Sequence, residues 1–213
     1  MLEMWHPKLV DRSWRVLNTL RGFADFVVIG GWGVFLWARK LKSRDIDIYI
    51  DQDNFYVLQR RCADEGVHIK RNPRLRKFEA VLEGVEIDIY TPFMCNLVVP
   101  CQDVMTGEMT STVEGFMVAI PEVLLLLKAQ AAKERWGSEK GFKDRVDIIS
   151  LLSFVDLKFD VLEKLVKKYD RANEITKVLM RVLRESRREY RLLGLSYERD
   201  GSRLLRALER RFG

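Results

Sequence analysis

The chain has 213 residues, of which 47% are hydrophobic and 32% are charged, and its formal net charge is +6. This composition excludes an intrinsically disordered chain, and the length suits one compact domain or a domain with a helical appendage. Three cysteines without Cys-x-x-Cys spacing and only two histidines exclude a disulfide framework and argue against a zinc site or a histidine-centred catalytic triad.

The N-terminal part predicts two helices and a strand, joined by a glycine turn. Apolar residues at helical spacing from Pro7 to Gly22 predict an opening helix that ends at glycine. The apolar run Phe26–Ile29 predicts a buried strand, and Trp32–Leu41 returns to a helical pattern. Because Gly30-Gly31 stands between them, this segment is predicted to be a strand, a glycine turn and a helix.

The next part predicts strands that carry carboxylates on one face. Residues 45–51 alternate strictly, with isoleucines on one face and Asp45, Asp47, Tyr49 and Asp51 on the other. Further along, Asp88 shares a predicted strand face with Glu86 and Tyr90. The elements predicted after residue 51 are a helix over Gln52–Glu65, strands over Val67–Lys70, Lys77–Leu82 and Val85–Tyr90, and a tight turn at Glu83-Gly84.

The second half of the chain is predicted to be helical. Residues Met94–Val118 are predicted to be irregular, with a short strand at Gly115–Ala119. We therefore predict an α+β fold, with an α/β domain over residues 1–120 and a helical domain over residues 121–213. The predicted helices are Glu122–Trp136 with Pro121 at its start, Lys140–Phe154, Lys158–Tyr169, Ala172–Leu193 and Ser202–Phe212.

The net charge is concentrated near the C-terminus. Residues 171–213 hold 12 Lys and Arg against 6 Asp and Glu, whereas the other 170 residues hold 25 of each sign. Arg181, Arg184, Arg188 and Arg191 recur at helical spacing and predict one arginine stripe, which would suit the phosphates of an RNA such as tRNA. The alternative interpretation is a solvent-exposed helix face on which arginine and glutamate side chains alternate.

Asp45, Asp47 and Asp88 are the candidate metal ligands. Two aspartates at i and i+2 of a strand point to the same side, where their charges repel by about 1 kcal/mol in water and more strongly near a low-dielectric surface. A third carboxylate increases the repulsion, and Mg²⁺ or Mn²⁺ is the usual compensation because these hard cations prefer oxygen ligands. Taken singly, each carboxylate is more often a solvated surface residue.

The glycine turn is the candidate phosphate site. A strand that ends in Gly30-Gly31 and opens a helix exposes backbone N–H groups, and the missing side chains let a phosphate approach closely. The spacing matches neither the Walker loop nor the dinucleotide-binding glycine motif. An anion site beside a divalent-metal site predicts a bound nucleoside triphosphate.

These features, in this order, resemble the DNA polymerase β-like nucleotidyltransferase superfamily. The resemblance is carried by Gly30-Gly31, by Ser43-x-Asp45-Ile46-Asp47-Ile48 and by Asp88, and it covers residues 26–90. The nearest type is the small prokaryotic nucleotidyltransferases, which include members of toxin–antitoxin and abortive-infection systems. The resemblance implies a mixed β-sheet flanked by helices, followed by an all-helical C-terminal region.

The resemblance also implies residue roles. Gly30 and Gly31 would contact the triphosphate, as would Ser43 within the same motif. Asp45 and Asp47 would bind two Mg²⁺ or Mn²⁺ ions, while Asp88 would complete the metal site and activate the incoming hydroxyl. The helical segments around Lys128 and Lys143 look like those in which members carry a lysine near the nucleotide. Lys128 follows four leucines, so a snorkelling edge residue is its alternative interpretation.

The expected activity is transfer of a nucleoside monophosphate to a hydroxyl of RNA, tRNA included, or of a protein, with pyrophosphate release. One alternative is a non-catalytic nucleotide-binding or toxin–antitoxin partner module of the same fold, and another is a nucleic-acid-binding regulator that uses the basic tail alone. The longest apolar run has 13 residues and no signal peptide is recognisable, so a cytoplasmic protein without membrane contact is expected. The C-terminal helices leave room for an oligomer.

Overall fold

The computed structural model describes residues 4–105 and 108–212. The described residues form two compact units, one that extends to Ile120 and one that begins at Pro121. Within these ranges, the longest and most apolar helices still fall short of what a bilayer-spanning segment requires.

The first unit contains one mixed β-sheet and four helices. Seven strands lie in the order β3-β4-β5-β2-β1-β7-β6. Strands β2 and β5 are parallel, as are β1 and β7, and the other neighbours are antiparallel. The elements are α1 (Pro7–Arg21), β1 (Val27–Val28), α2 (Gly30–Ala38), β2 (Ile46–Tyr49), α3 (Gln52–Asp64), β3 (Lys70–Asn72), β4 (Lys77–Leu82), β5 (Val85–Tyr90), α4 (Cys101–Met105), β6 (Thr110–Val113) and β7 (Phe116–Ala119).

Helices pack on this sheet through aromatic residues. The Phe55 ring of α3 lies 4.5 Å from the Phe78 ring of β4, on the face that also carries the isoleucines of β2 and β5. Trp32 of α2 is fully buried, and its indole N–H donates to Ser13 Oγ of α1 at 2.8 Å. Burying an aromatic of this size contributes a large share of the apolar area, and the hydrogen bond satisfies its one polar atom.

The segment 91–120 differs from its prediction. It contains the short helix α4 and the hairpin of β6 and β7, where the sequence predicted irregular structure with one strand. Only Phe116, Val118 and Ala119 of this hairpin are buried, while every β6 residue is partly or fully exposed. The β6 sequence Thr-Ser-Thr-Val therefore lacks the apolar alternation that would have marked it as a strand.

The second unit is helical, as predicted. Its elements are α5 (Pro121–Glu134), α6 (Glu139–Phe154), α7 (Phe159–Tyr169), α8 (Glu174–Glu185), α9 (Arg187–Leu192), a π-helical segment (Tyr197–Gly201) and α10 (Ser202–Phe212). The predicted α+β fold is therefore confirmed. The single helix predicted over Ala172–Leu193 is wrong, because the chain turns at Ser186 between α8 and α9.

Candidate active site

Asp47 and Asp88 are direct neighbours on the sheet. They occupy paired positions of the parallel strands β2 and β5, so their side chains leave the same face. Asp47 is half-buried, and the Asp88 side chain is 29% exposed. The structure thus brings together two of the three predicted carboxylates, which are 41 positions apart in the sequence.

Lys77 is the cation nearest to this pair. Its Nζ lies 2.6 Å from Asp88 Oδ2 and 3.0 Å from Glu79 Oε1, and its side chain is only 12% exposed. Glu79 faces Asp88 across the antiparallel pairing of β4 and β5. An ammonium group therefore balances part of the negative charge that the neighbouring carboxylates create.

The charges around Asp88 change its proton affinity. Burial and, next, the negative charge of Asp47 raise the pKa of Asp88 to about 6, although Lys77 opposes the shift. Burial lowers the pKa of Lys77, but its contacts with Asp88 and Glu79 outweigh this, so the net pKa is raised. A carboxylate with this pKa can exchange a proton near neutral pH.

Asp45 lies just before β2 and contacts the neighbouring Arg44. Its Oδ1 is 3.5 Å from Nε of Arg44, whose guanidinium stacks over the Trp5 ring. Among residues 4–105 and 108–212, no group of three or more His, Cys, Asp or Glu side chains is arranged to hold a metal ion. Of the expected cluster of Asp45, Asp47 and Asp88, the structure thus pairs Asp47 with Asp88, and Lys77 contacts Asp88.

The pair nevertheless has the chemistry of a divalent-cation site. Asp47 and Asp88 supply only oxygen donors, which hard cations prefer. A positive group, the Lys77 ammonium, already contacts Asp88, whose pKa is raised by burial and, next, by the negative charge of Asp47. These residues therefore fit a bound divalent ion.

The glycine turn lies against Asp47. Gly30 begins α2 with φ +62°, and a Cβ at this position would lie 2.0 Å from Asp47 Oδ2. The N-cap residue of α2 is Ile29, whose side chain makes no capping hydrogen bond to the first turn of the helix. Ser43, the other predicted phosphate contact of this unit, is buried ahead of β2.

Tyr49 is not on an open polar face, in contrast to the alternation prediction. It is fully buried, and its hydroxyl donates to the Val99 carbonyl at 2.6 Å. The Cys101 thiol contacts the carbonyls of Ile50 and Tyr90 at 3.6 and 3.4 Å. The chain after β5 therefore covers the ends of β2 and β5, so that the polar face is restricted to the part that carries the carboxylates.

Lys128 and Lys143 belong to a buried ionic cluster in the helical unit. Lys128 Nζ lies 3.0 Å from Asp144 and 2.8 Å from Asp147, and Lys143 Nζ lies 2.7 Å from Asp147. Arg135 binds Asp144 through two hydrogen bonds. Both lysine side chains are less than 10% exposed. The alternative of a snorkelling edge residue is therefore wrong for Lys128, which is inside the unit.

Charge and burial act against each other in this cluster. Burial would raise the pKa of Asp144, but Lys128 and Arg135 outweigh it, so the pKa is lowered. Burial lowers the pKa of Lys143 despite its contact with Asp147. Each ammonium already has carboxylate partners, so the predicted phosphate contacts of both lysines stay predictions.

The predicted arginine stripe does not form on one helix. Arg181 and Arg184 belong to α8, whereas Arg188 and Arg191 belong to α9. Two of the four form ion pairs within the unit, Arg181 with Glu185 and Arg184 with Glu209. Arg188 lies over the Phe142 ring. Arg181 and Arg184 are thus engaged within their own unit, and the RNA contact expected of the four arginines stays a prediction.

Sequence reasoning missed Lys77, although its signal was present. The two strands and the Glu83-Gly84 turn were both predicted, and a two-residue turn fixes the register of a hairpin. That register places Glu79 opposite Asp88 and Lys77 two residues further along the same face.

Comparisons with known proteins agree with this geometry. A family model described as aminoglycoside-2″-adenylyltransferase matches residues 14–97, which is less than half of the chain but includes the glycine turn and all three aspartates. The search against curated proteins returned no match.

Solved structures share the fold. The crystal structure of ANT(2″)-Ia in complex with adenylyl-2″-tobramycin has a TM-score of 0.52 at 12% identity, over 78% of this chain and 99% of that one. JHP933 from Helicobacter pylori has a TM-score of 0.50 at 12% identity, over 96% and 91%. The chain is therefore similar in sequence to that adenylyltransferase family over residues 14–97, and it shares the fold of these solved structures.

Proposed function

We propose that this protein transfers a nucleoside monophosphate from a nucleoside triphosphate to an acceptor hydroxyl and releases pyrophosphate. The observation that carries the proposal is the pairing of Asp47 with Asp88 next to the Gly30 turn. A phosphate site and two carboxylates within one sheet are what such a transfer requires, because the triphosphate and the attacking hydroxyl must meet there.

The glycine turn would hold the triphosphate. Its role is supported by the uncapped N-terminus of α2 and by the absence of side chains at Gly30 and Gly31. Ser43, buried in the same region, is the candidate side-chain contact. In the helical unit, Lys128 and Lys143 are candidates that nucleotide titrations of Lys128→Met and Lys143→Met would test.

Asp45, Asp47 and Asp88 would hold the divalent cations. Two bound Mg²⁺ or Mn²⁺ ions would supply neutralisation of the phosphate charge and polarisation of the acceptor hydroxyl. For Asp88 to contribute both oxygens, the Lys77 ammonium has to release it. The Lys77 ammonium would still have Glu79 as an ion-pair partner at 3.0 Å, so its positive charge would stay balanced after Asp88 is released.

Asp88 would accept the proton of the acceptor hydroxyl. The hydroxyl oxygen forms a bond to the α-phosphorus, and the bond from that phosphorus to the bridging oxygen breaks. Pyrophosphate leaves with the electron pair, and the proton passes to an Asp88 carboxylate oxygen. The support is the position of Asp88 beside Asp47 and the glycine turn; in the metal-free protein its pKa is raised to about 6 by burial and by the charge of Asp47.

Matched variants on one strand test this assignment. The protein is incubated with α-labelled ATP, GTP, CTP or UTP, Mg²⁺ and a panel of acceptors, and pyrophosphate release is measured. Asp47→Asn and Asp88→Asn should each abolish transfer. Glu86→Gln, the same chemical change at an exposed position two residues before Asp88, should preserve it. Transfer that survives either aspartate change would overturn the assignment.

The acceptor panel covers three chemical classes. The family model that matches residues 14–97 and the complex of ANT(2″)-Ia with adenylyl-2″-tobramycin favour an amino-sugar hydroxyl. The arginine-rich terminal helices favoured RNA, or a protein partner, at the level of sequence. Mass spectrometry of each acceptor after incubation distinguishes the three by the nucleotide mass that it gains.

A non-catalytic module of the same fold is the second candidate. The observation in its favour is the Lys77 ammonium on Asp88, which neutralises a residue that catalysis needs as a ligand. Such a module, for instance the partner of a toxin, would bind nucleotide with Mg²⁺ and show a thermal shift without releasing pyrophosphate from any acceptor.

A further inference from the structure

The edge hairpin is a strongly basic exposed segment of the first unit. Residues 70–77 contain five Lys or Arg and no Asp or Glu. They form β3, the tight connection and the start of β4, at the edge of the sheet. We call this segment the basic hairpin. Its exposed cations are Lys70, Arg71, Arg74 and Arg76.

These cations are not used for internal ion pairs. In the described part of the chain, no carboxylate lies within ion-pair distance of Lys70, Arg74 or Arg76. The arginines of α8 differ, because Arg181 and Arg184 each have a glutamate partner. Unpaired exposed cations of one sign attract a polyanion, and no internal partner has to be displaced first.

The basic hairpin continues the row that carries the catalytic carboxylates. Lys70 pairs with Glu79, Glu79 with Asp88, and Asp88 with Asp47, so these four residues cross four neighbouring strands on one face. Neighbouring strands are about 4.8 Å apart, so Lys70 is roughly 10 Å from Asp88 across the sheet. A chain molecule bound along the row would have phosphates over the hairpin and its end at Asp88.

An exposed aromatic ring lies beside the same strands. Phe93 is 73% exposed in the turn that directly follows β5, between the bridged residues Thr91 and Met94. Arg71, which the register places on the opposite face of β3 from Lys70, contacts this turn at the sheet edge, with its Nη2 3.7 Å from Met94 Sδ. Aromatic rings next to cations are the usual platform on which single-stranded bases stack.

We infer that the basic hairpin and Phe93 dock a single-stranded RNA whose terminal hydroxyl reaches Asp88. The inference rests on the proposed function, for which it names the acceptor class. RNA supplies phosphates, a stacking base and a hydroxyl in one molecule, whereas an acidic protein offers no base. An aminoglycoside is a polycation, which the four exposed cations of the basic hairpin would repel.

Binding is measured without chemistry, by fluorescence anisotropy of labelled oligouridine with full-length Asp47→Asn protein and no nucleotide. The logarithm of affinity should fall with the logarithm of KCl concentration with a slope of about −2, if Lys70, Arg74 and Arg76 contact phosphates. Arg74→Gln with Arg76→Gln should reduce that slope by about 1.4 and weaken binding about tenfold. Phe93→Ala should weaken binding without changing the slope.

The matched control is Arg60→Gln with Arg61→Gln. It removes the same charge from exposed positions of α3, which packs on the other face of the sheet, and should leave affinity and slope unchanged. Absent or salt-insensitive binding would overturn the inference, as would an equal loss in the control. Equally tight binding of polyglutamate would also overturn it and indicate an acidic protein partner.

A second measurement separates this inference from the proposed function. Wild-type protein is incubated with labelled nucleotide, Mg²⁺ and oligouridine that ends in either a 3′-hydroxyl or a 3′-phosphate, and label should enter only the former. Transfer to an amino sugar or protein without RNA binding would overturn the inference while the proposed function stands. Hairpin-dependent RNA binding without transfer to any acceptor would overturn the proposed function and, with it, the acceptor role of RNA.

Discussion

Lys77 Nζ lies 2.6 Å from Asp88 Oδ2, so an ammonium group contacts the residue proposed as proton acceptor. The same ammonium lies 3.0 Å from Glu79, and the three residues occupy adjacent positions on β4 and β5. The Lys77 ammonium therefore competes with any metal cation that binds Asp88. Its removal should affect both the stability of the metal-free protein and its affinity for divalent ions.

Lys77→Met should destabilise the metal-free protein and tighten Mn²⁺ binding. Loss of the ammonium removes the positive charge that offsets the negative charges of Asp47, Glu79 and Asp88. We expect this to lower the unfolding free energy by about 1–3 kcal/mol. Denaturant unfolding and Mn²⁺ titration by electron paramagnetic resonance measure the two effects. Lys70→Met, an exposed cation opposite Glu79, is the control, and equal Mn²⁺ affinity in wild type and Lys77→Met would contradict the competition.

The unfolding free energy should depend on pH through Asp88. Because its pKa is raised from 3.8 to about 6, the folded state favours the protonated form. The contribution is present below pH 4 and is lost as the pH rises through 6. In metal-free denaturant unfolding, Asp88→Asn should therefore gain stability relative to wild type over this range, and Mg²⁺ should restore wild type alone. A difference in unfolding free energy between Asp88→Asn and wild type that does not change with pH would contradict this prediction. Glu86→Gln is the matched control variant.

Gly30→Ala should impair both stability and transfer. A Cβ would meet Asp47 Oδ2 at 2.0 Å, and φ +62° itself costs about 1–2 kcal/mol for an alanine. Gly66→Ala provides the control, because Gly66 has φ +71° with nothing within 4 Å of a Cβ, so only the backbone cost applies. We expect both variants to lose stability in thermal melts and only Gly30→Ala to lose pyrophosphate release. Equal activity in the two would show that Asp47 tolerates displacement.

Asp147→Asn should strongly destabilise the helical unit. Asp147 accepts from Lys143 and Lys128, and its loss leaves a buried lysine without its counter-charge, at a cost of about 3–5 kcal/mol. Glu185→Gln, which breaks the exposed pair with Arg181, should cost less than about 1 kcal/mol. Chemical denaturation followed by far-ultraviolet circular dichroism, which reports the loss of helix, compares them. Similar losses for the two variants would mean that the cluster is solvated.

The strands of the site could be predicted because each has a strong local signal. The bounds of β4 and β5 agree with the prediction, since alternation and the Glu83-Gly84 turn define them. The break at Ser186 has no such signal, because neither glycine nor proline marks it. It follows from packing, as Tyr190 is fully buried and Glu189 binds Arg145 at 2.7 Å. Tertiary contacts of this kind outweigh helix propensity.

The candidate site was predictable in its residue types and less so in its arrangement. The sequence order of Gly30, Asp45, Asp47 and Asp88 indicated which groups would meet. The pairing of Asp47 with Asp88 depends on the parallel arrangement of β2 and β5, which a single sequence does not state. The orientation of Asp45 toward Arg44 depends on where β2 begins, one residue later than the alternation predicted.

The parallel pairing of β2 and β5 also determines when the site can form during folding. The pairing of Asp47 with Asp88 closes a loop that contains α3, β3 and β4. Contacts of such sequence separation form late, because the loop that they close costs conformational entropy. The raised proton affinity of Asp88 is therefore a native-state signal, and its appearance during refolding would mark the completion of the sheet.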